Sequence, residues 1–167
     1  MVEIIFFDTC ALLEMREITQ LHGNPDFRLI INEFKWGMTE ELKKEYCNFK
    51  VDEFIDLKKG YLVPISSDKK SKFISKYVLE SIDKADQDLL FLAYQDKATI
   101  ISNDSDVMFP ADSLGLNAMY FWEFCIQLVK NNRLSKNDYL KCWKYWEQRK
   151  RYKKSRLKKM KEAINNL

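Results

Sequence analysis

The feature that most constrains this chain is a run of four apolar residues, Ile4 to Phe7, that ends directly in a carboxylate, Asp8. Two of the four are β-branched, and a short apolar run of this kind is typical of a strand buried on both faces of a parallel sheet. A helical pattern follows over residues 11–18. Asp8 is therefore expected at the carboxyl edge of a sheet, where open α/β folds bind ligands, although an Asp in this place also serves as a helix cap.

Strand-like and helix-like segments alternate along the chain up to residue 134. The predicted strands are residues 4–7, 61–65, 98–102 and 118–121, with a short extended piece at 36–38. The predicted helices are residues 11–18, 26–34, 39–46, 50–58, 68–82, 84–95 and 122–129. Such alternation predicts an α/β protein with three layers, α/β/α, around a central parallel sheet. Residues 1–134 are expected to form this domain, which is large enough to bury a core.

Composition disfavours several classes of site and of location. The only histidine is His22, and the four cysteines at positions 10, 47, 125 and 142 contain no C-x-x-C pair, so a zinc site and a histidine base are disfavoured. Dispersed thiols favour a reducing compartment, and we expect a cytoplasmic protein. No apolar run approaches the roughly 18 residues of a membrane span, and the first residues lack the pattern of a signal peptide.

Charge is distributed unevenly along the chain. Residues 1–135 contain 16 Lys and Arg against 22 Asp and Glu, a net charge of −6, whereas residues 136–167 contain 12 against 3, a net charge of +9. An acidic body with a basic extension predicts a polyanionic partner. The residues expected to contact nucleic acid are Arg149, Lys150, Arg151, Lys153, Lys154, Arg156, Lys158 and Lys159.

The basic extension, residues 135–167, is expected to be helical. Ser135 followed three residues later by Asp138 resembles a helix-capping pair. One helical face carries an aromatic stripe, which is expected to pack on the body of the protein: Tyr139, Trp143 and Trp146. The second half is expected to be weakly anchored, because its apolar face is small: Leu157, Met160 and Ile164.

Two predicted strands run directly into carboxylates, Asp8 and Asp104. If these strands are neighbours in a parallel sheet, a strand spacing of about 4.8 Å brings both acids within reach of one ion. The predicted helices offer further acids, which are Glu41 or Glu45 on residues 39–46 and Asp86 or Asp88 at the start of residues 84–95. Oxygen ligands without nitrogen or sulfur select Mg²⁺ or Mn²⁺, which bridge phosphate oxygens and activate water.

Four short motifs resemble, in their order and placement, those of the PIN-domain nucleases, and the match covers residues 2–130. They are Phe7-Asp8-Thr9-Cys10-x-Leu12, Thr39-x-x-Leu42-x-x-Glu45, Ala85-Asp86-x-x-Leu89-x-x-x-Ala93 and the segment 100–106. Val107 and the polar pair Gln87-Asp88 depart from the family pattern, and the basic extension is not part of it. The resemblance implies a PIN-like fold for the body of the chain.

The resemblance also implies a site and an activity. The implied catalytic metal ligands are Asp8, Glu45, Asp86 and Asp104, with Asp106 as a further ligand, so that Glu45 is favoured over Glu41 and Asp86 over Asp88. The residues that remain as accessory candidates are Thr9, Glu41, Asp88, Ser102 and Asn103. The implied activity is that of a Mg²⁺- or Mn²⁺-dependent endoribonuclease, either the toxin of a toxin–antitoxin pair or an enzyme of RNA maturation or decay. RNA is the expected partner, and an acidic antitoxin that masks the basic extension and a second copy of the chain are further candidates.

Other functions fit the sequence less well. The main alternative is a catalytically silent PIN-type protein that binds RNA or acts as a scaffold, although all four core acids are present. A phosphatase of the haloacid dehalogenase class also begins with a strand and an Asp, but its general acid is a second Asp two residues later, where this chain has Cys10. A receiver domain requires an acidic pair on the first loop, which is not evident here.

Overall fold

A five-stranded parallel sheet lies at the centre of the computed structural model, which describes residues 4–167. The strands are β1 (Ile5–Phe7), β2 (Trp36–Met38), β3 (Tyr61–Leu62), β4 (Thr99–Ile101) and β5 (Ala118–Met119). Their order is β3-β2-β1-β4-β5, and every neighbouring pair is parallel. The predicted parallel sheet is confirmed, and its two acid-terminated strands, β1 and β4, are neighbours in which Phe7 pairs with Ile101.

Helices follow the strands and cover the sheet. They are α1 (Thr9–Thr19), α2 (Phe27–Ile31), α3 (Glu40–Asn48), α4 (Ser67–Tyr77), α5 (Lys84–Asp96), α6 (Ser105–Ser113), α7 (Phe121–Lys130), α8 (Lys136–Gln148) and α9 (Lys154–Asn165). The architecture is α/β and compatible with three α/β/α layers. Within the described residues, each helix is too short or too polar to cross a membrane.

Three predicted helices differ from the structure. Residues 50–58 form two short 3-10 turns, Val51–Glu53 and Leu57–Lys59, because Lys50 has a left-handed backbone (φ 56°) and Asp56 caps the second turn. The helix predicted to end at residue 82 ends at Tyr77, where Val78 is also left-handed, and the one predicted over 26–34 ends at Ile31. Helix α6 was not predicted at all.

The C-terminal helical pair, α8 and α9, packs on α7. Trp146 is fully buried and meets the rings of Phe121 and Tyr139 edge to face, so this member of the aromatic stripe packs on the body as predicted, whereas Trp143 is only partly buried. The expectation that the second half is weakly anchored is wrong, because the whole apolar face of α9 belongs to the same buried cluster as the sheet: Leu157, Met160 and Ile164. These few side chains suffice because α7 and α8 supply the complementary surface.

Two hydrogen bonds add to the packing of this pair. The Tyr139 hydroxyl donates to the Met160 carbonyl over 3.2 Å, and the Trp143 indole N–H donates to the Leu157 carbonyl over 2.9 Å. The predicted cap is also present, since the Ser135 hydroxyl accepts a hydrogen bond from the Asp138 amide. The basic extension is thus two docked helices in the structure.

Candidate active site at the carboxyl edge of the sheet

Asp8 and Asp104 meet because β1 and β4 are paired in register. The Asp8 amide donates to the Ile101 carbonyl over 2.9 Å, which places Asp8 beside Ser102. The Ser102 hydroxyl donates to Asp8 Oδ2 over 2.5 Å and accepts from the Asp104 amide over 2.9 Å. One serine therefore links the two acids that follow the strands, and Asp8 is only 3% exposed.

Asp104 is also the residue that starts α6. Its carboxylate accepts from the Asp106 amide over 2.8 Å, as the N-cap of a helix does. Asp106 itself is exposed. Asp8, for which the sequence left a capping role open, precedes α1 without a side-chain capping hydrogen bond. Capping at Asp104 is compatible with ligand binding because a carboxylate has further lone pairs.

Glu45 and Asp86 reach the same edge from α3 and α5. Burial raises the pKa of Glu45, the Thr9 hydroxyl lowers it, and the charges of Asp8 and Asp104 raise it again. Burial, followed by the charges of Asp8, Asp104 and Glu45, raises the pKa of Asp86 to about 8. Burial likewise raises the pKa of Asp8, against the hydrogen bonds from Cys10 and Ser102. We call Asp8, Glu45, Asp86 and Asp104 the acidic edge.

The acidic edge has the chemistry of a hard-cation site but not a formed coordination shell. Its donors are oxygens, and no cation is among the main influences on the pKa of Asp86, which all raise it. Within residues 4–167, no three His, Cys, Asp or Glu side chains stand close enough together to hold one metal ion. The residues fit Mg²⁺ or Mn²⁺ by donor type and charge, and binding requires their side chains to turn toward one another.

Two of the accessory acids are held by lysines. Asp88 is buried and pairs with Lys70 Nζ at 2.5 Å, and Glu41 pairs with Lys44 Nζ at 2.8 Å. The hydrogen bond from Lys44 lowers the pKa of Glu41. Both acids are therefore engaged in ion pairs of their own.

Three residues near the acidic edge were missed by the sequence analysis as site residues. Cys10 donates its thiol to Asp8 Oδ2 over 2.8 Å, and Asp83, the N-cap of α5, raises the pKa of both Glu45 and Asp86. The third is Glu14 on α1. The position of Asp83 two residues before the Ala85-Asp86 motif was the one signal available for it.

Glu14 anchors the loop that carries Asp104. Glu14 accepts a hydrogen bond from the side-chain NH₂ of Asn103. The side-chain oxygen of Asn103 accepts from the Phe121 backbone N–H over 3.1 Å, and the backbone N–H of Asn103 donates to Cys10 Sγ over 3.2 Å. Glu14 is 5% exposed, and burial raises its pKa to about 7 against the lowering effect of Arg151. Asn103 thus ties β4 to α1 and α7.

The eight basic residues predicted to contact nucleic acid are all exposed. Arg151 pairs with Glu17 at 3.1 Å, and the guanidinium of Arg156 lies 4.7 Å from the centre of the Tyr120 ring. Tyr120 directly follows β5, the neighbour of β4, so the first turn of α9 lies beside the carboxyl edge of the sheet. The basic surface and the acidic edge are therefore at the same end of the fold.

No family model matches the chain, and no curated protein matches it in sequence.

Proposed function

We propose that this protein is a Mg²⁺- or Mn²⁺-dependent endoribonuclease of PIN type that hydrolyses RNA phosphodiester bonds at the acidic edge. The observation that carries the proposal is the meeting of Asp8 and Asp104 through Ser102, with Glu45 and Asp86 within electrostatic reach. Acids that raise one another's pKa and lack a counter-cation are characteristic of functional sites. RNA is proposed rather than DNA because of the resemblance to PIN-domain nucleases.

Each residue has a stated part in this proposal. The acidic edge would hold the cation, with Asp106 as a further ligand after rotation of its exposed side chain. When bound, the cation supplies Lewis-acid stabilisation of the phosphate and a water of lowered pKa. Ser102 holds Asp8 in place by its hydrogen bond to Asp8 Oδ2. Asn103 fixes the loop on which Asp104 lies.

The C-terminal helical pair would hold the substrate. Its exposed Lys and Arg side chains gain affinity for RNA through the release of counterions from phosphates. The same basic surface would also bind an acidic protein partner. For this reason the proposal includes a cytoplasmic toxin whose basic surface is masked by an acidic antitoxin. A role in RNA maturation uses the same contacts.

The test of the proposal is removal of the two acids that follow the strands. Asp8→Asn and Asp104→Asn should each reduce Mn²⁺-dependent cleavage of RNA by roughly 100-fold or more, because they remove direct ligands rather than supporting groups. Asp112→Asn is the matched control, since Asp112 is an exposed acid at the other end of α6. Equal cleavage by all three variants would contradict the assignment of the site.

A silent RNA-binding or scaffold protein is the second candidate. The specific observation in its favour is that Asp8 Oδ2 already accepts hydrogen bonds from Cys10 and Ser102, with no three-residue metal group among the described residues. Such a protein would bind RNA but show neither cleavage nor a shift in melting temperature on addition of Mn²⁺. The nuclease should be stabilised by Mn²⁺, because ligands that bind only the folded state raise its stability.

A further inference from the structure

Two adjoining cavities lie on the C-terminal helical pair. The first has a volume of about 460 Å³ and is lined by Arg151, Tyr152, Lys153, Ser155, Arg156 and Lys159. Four of these six residues are cationic and none is acidic. Within the described chain, only Arg151 among the four forms an ion pair, with Glu17. Lys153, Arg156 and Lys159 thus bring positive charge into one concave surface without a carboxylate to balance it.

The second cavity is larger and has a different character. It has a volume of about 650 Å³, shares Tyr152 and Lys153 with the first, and adds Trp143, Leu157, four further lysines and one carboxylate, Glu147. The Trp143 ring is held by its hydrogen bond to the Leu157 carbonyl, and Lys161 Nζ lies 4.6 Å from the ring centre. An aromatic ring flanked by lysines is a surface on which a nucleobase stacks while its phosphates meet the charges.

We infer that these two cavities together form a nucleotide-binding site, with the phosphate in the cationic cavity and the base against Trp143 in the aromatic one. A phosphate matches the first cavity because guanidinium groups recognise its oxygens by bidentate hydrogen bonds and ammonium groups recognise them as point charges. Tyr152 and Lys153 line both cavities, so the phosphate and base positions are adjacent, as they are in one nucleotide.

The site is placed to serve the acidic edge. Arg156 lines the cationic cavity and stacks on Tyr120, which follows β5 at the carboxyl edge of the sheet. A strand held at this site therefore leads toward Asp104. This link to cleavage rests on the proposed function, whereas binding of a nucleotide does not. The nucleotide has two sources, a free mononucleotide or one unit of an RNA strand, and both present the same phosphate and base.

Tryptophan fluorescence of the full chain tests the inference in EDTA, where no metal-dependent cleavage occurs. The probes are adenosine monophosphate, inorganic phosphate and a ten-nucleotide RNA. A nucleotide or the RNA should quench Trp143 saturably, and Trp143→Phe should abolish that change while keeping an aromatic ring in place. Inorganic phosphate should compete without quenching, because it has no base to stack.

Charge variants separate the cavity from general electrostatic attraction. Arg156→Ala with Lys159→Ala should weaken binding roughly tenfold and reduce the salt slope of RNA binding by about 0.7 for each phosphate that is no longer neutralised. Lys69→Ala with Lys72→Ala is the control, because it removes the same charge from exposed positions on α4. Circular dichroism of each variant establishes that it is folded.

The outcomes show whether the site takes a free nucleotide or one unit of an RNA strand, and whether the nucleotide site exists. Quenching by adenosine monophosphate supports a site for free nucleotides, and quenching by the RNA alone supports a site for a strand. Equal loss of affinity in the cavity and control variants, or quenching that persists in Trp143→Phe, overturns the inference. If the protein shows no Mn²⁺-dependent cleavage but the cavity variants still lose binding as expected, only the nuclease proposal is refuted. If cleavage is intact but the cavity variants bind as well as the wild type, only the nucleotide site is refuted.

Discussion

The acidic edge and the C-terminal helical pair carry opposite charges and are built into the fold in opposite ways. At the acidic edge Asp8 is 3% exposed, and burial together with neighbouring charges raises the pKa of Asp86 to about 8. On the helical pair the charges are exposed and the inward side is apolar, with Trp146 fully buried. At the acidic edge, therefore, the buried charges oppose folding, whereas on the helical pair the charges lie apart from the packed side. This difference is expected if the acidic edge binds cations and the helical pair only presents positive charge.

The largest effect is expected where the helical pair docks. Trp146→Ala should lower the free energy of unfolding by about 3–5 kcal/mol, because it removes a buried ring that touches Phe121 and Tyr139. Urea unfolding followed by circular dichroism measures this change. Trp143→Ala is the comparison on the same helix, and its effect should be smaller because Trp143 is only partly buried.

The same experiment tests whether the two regions unfold together. Because one buried cluster contains both the sheet and α9 residues such as Met160, a single transition is expected for the wild type and for Trp146→Ala. A separate early transition of the helical pair, with the body unchanged, would instead show that residues 135–167 behave as an independent extension.

The next largest effect concerns Glu14, where the two regions meet. Burial raises its pKa from 4.5 to about 7, so the folded protein binds this proton more tightly than the unfolded chain does. The resulting stability is fully present below pH 4.5 and is lost as the pH rises through 7, by at most ~3 kcal/mol. Between pH 5 and pH 8, the wild type should therefore lose stability relative to Glu14→Gln in urea unfolding.

Glu17, one turn further along α1, provides a control of opposite sign. Burial raises its pKa, but the hydrogen bonds from Tyr145 and Arg151 outweigh burial and lower it overall. Its contribution is present above the pKa of the unfolded chain and is lost on acidification. The wild type should therefore lose stability relative to Glu17→Gln as the pH falls, and identical profiles for the two variants would contradict both assignments.

The smallest of these effects concerns repulsion within the acidic edge. At pH 8.5 in EDTA, Asp86→Asn should raise the free energy of unfolding by roughly 1 kcal/mol, because it removes one of several like charges. Asp88→Asn, two residues away on α5, should instead destabilise the protein, because the Lys70 side chain, which is 16% exposed, loses its ion-pair partner. Thermal melting of both variants distinguishes the two kinds of interaction. Asp86→Asn should raise the melting temperature because Asp86 is repelled by its neighbours, whereas Asp88→Asn should lower it because Asp88 is in an ion pair.

Much of the site could be predicted because its acids follow recognisable local patterns. Asp8 and Asp104 come directly after apolar strands, and Asp86 lies in the first turn of a helix. Cys10 and Glu14 could not be predicted as site residues, since their roles depend on Ser102 and Asn103, which are about ninety positions away. Helix α6 was missed because its residues include Asp, Ser and Pro, which are poor helix formers away from a cap.

The alternation of strands and helices and the parallel sheet follow from the sequence alone, because apolar periodicity is a local property of the chain. The tertiary fold was needed to place β1 beside β4, so that Ser102 joins Asp8 to Asp104. It also decided that three apolar residues anchor α9, because burial depends on the surface that α7 and α8 present and not on the count of apolar side chains in one helix.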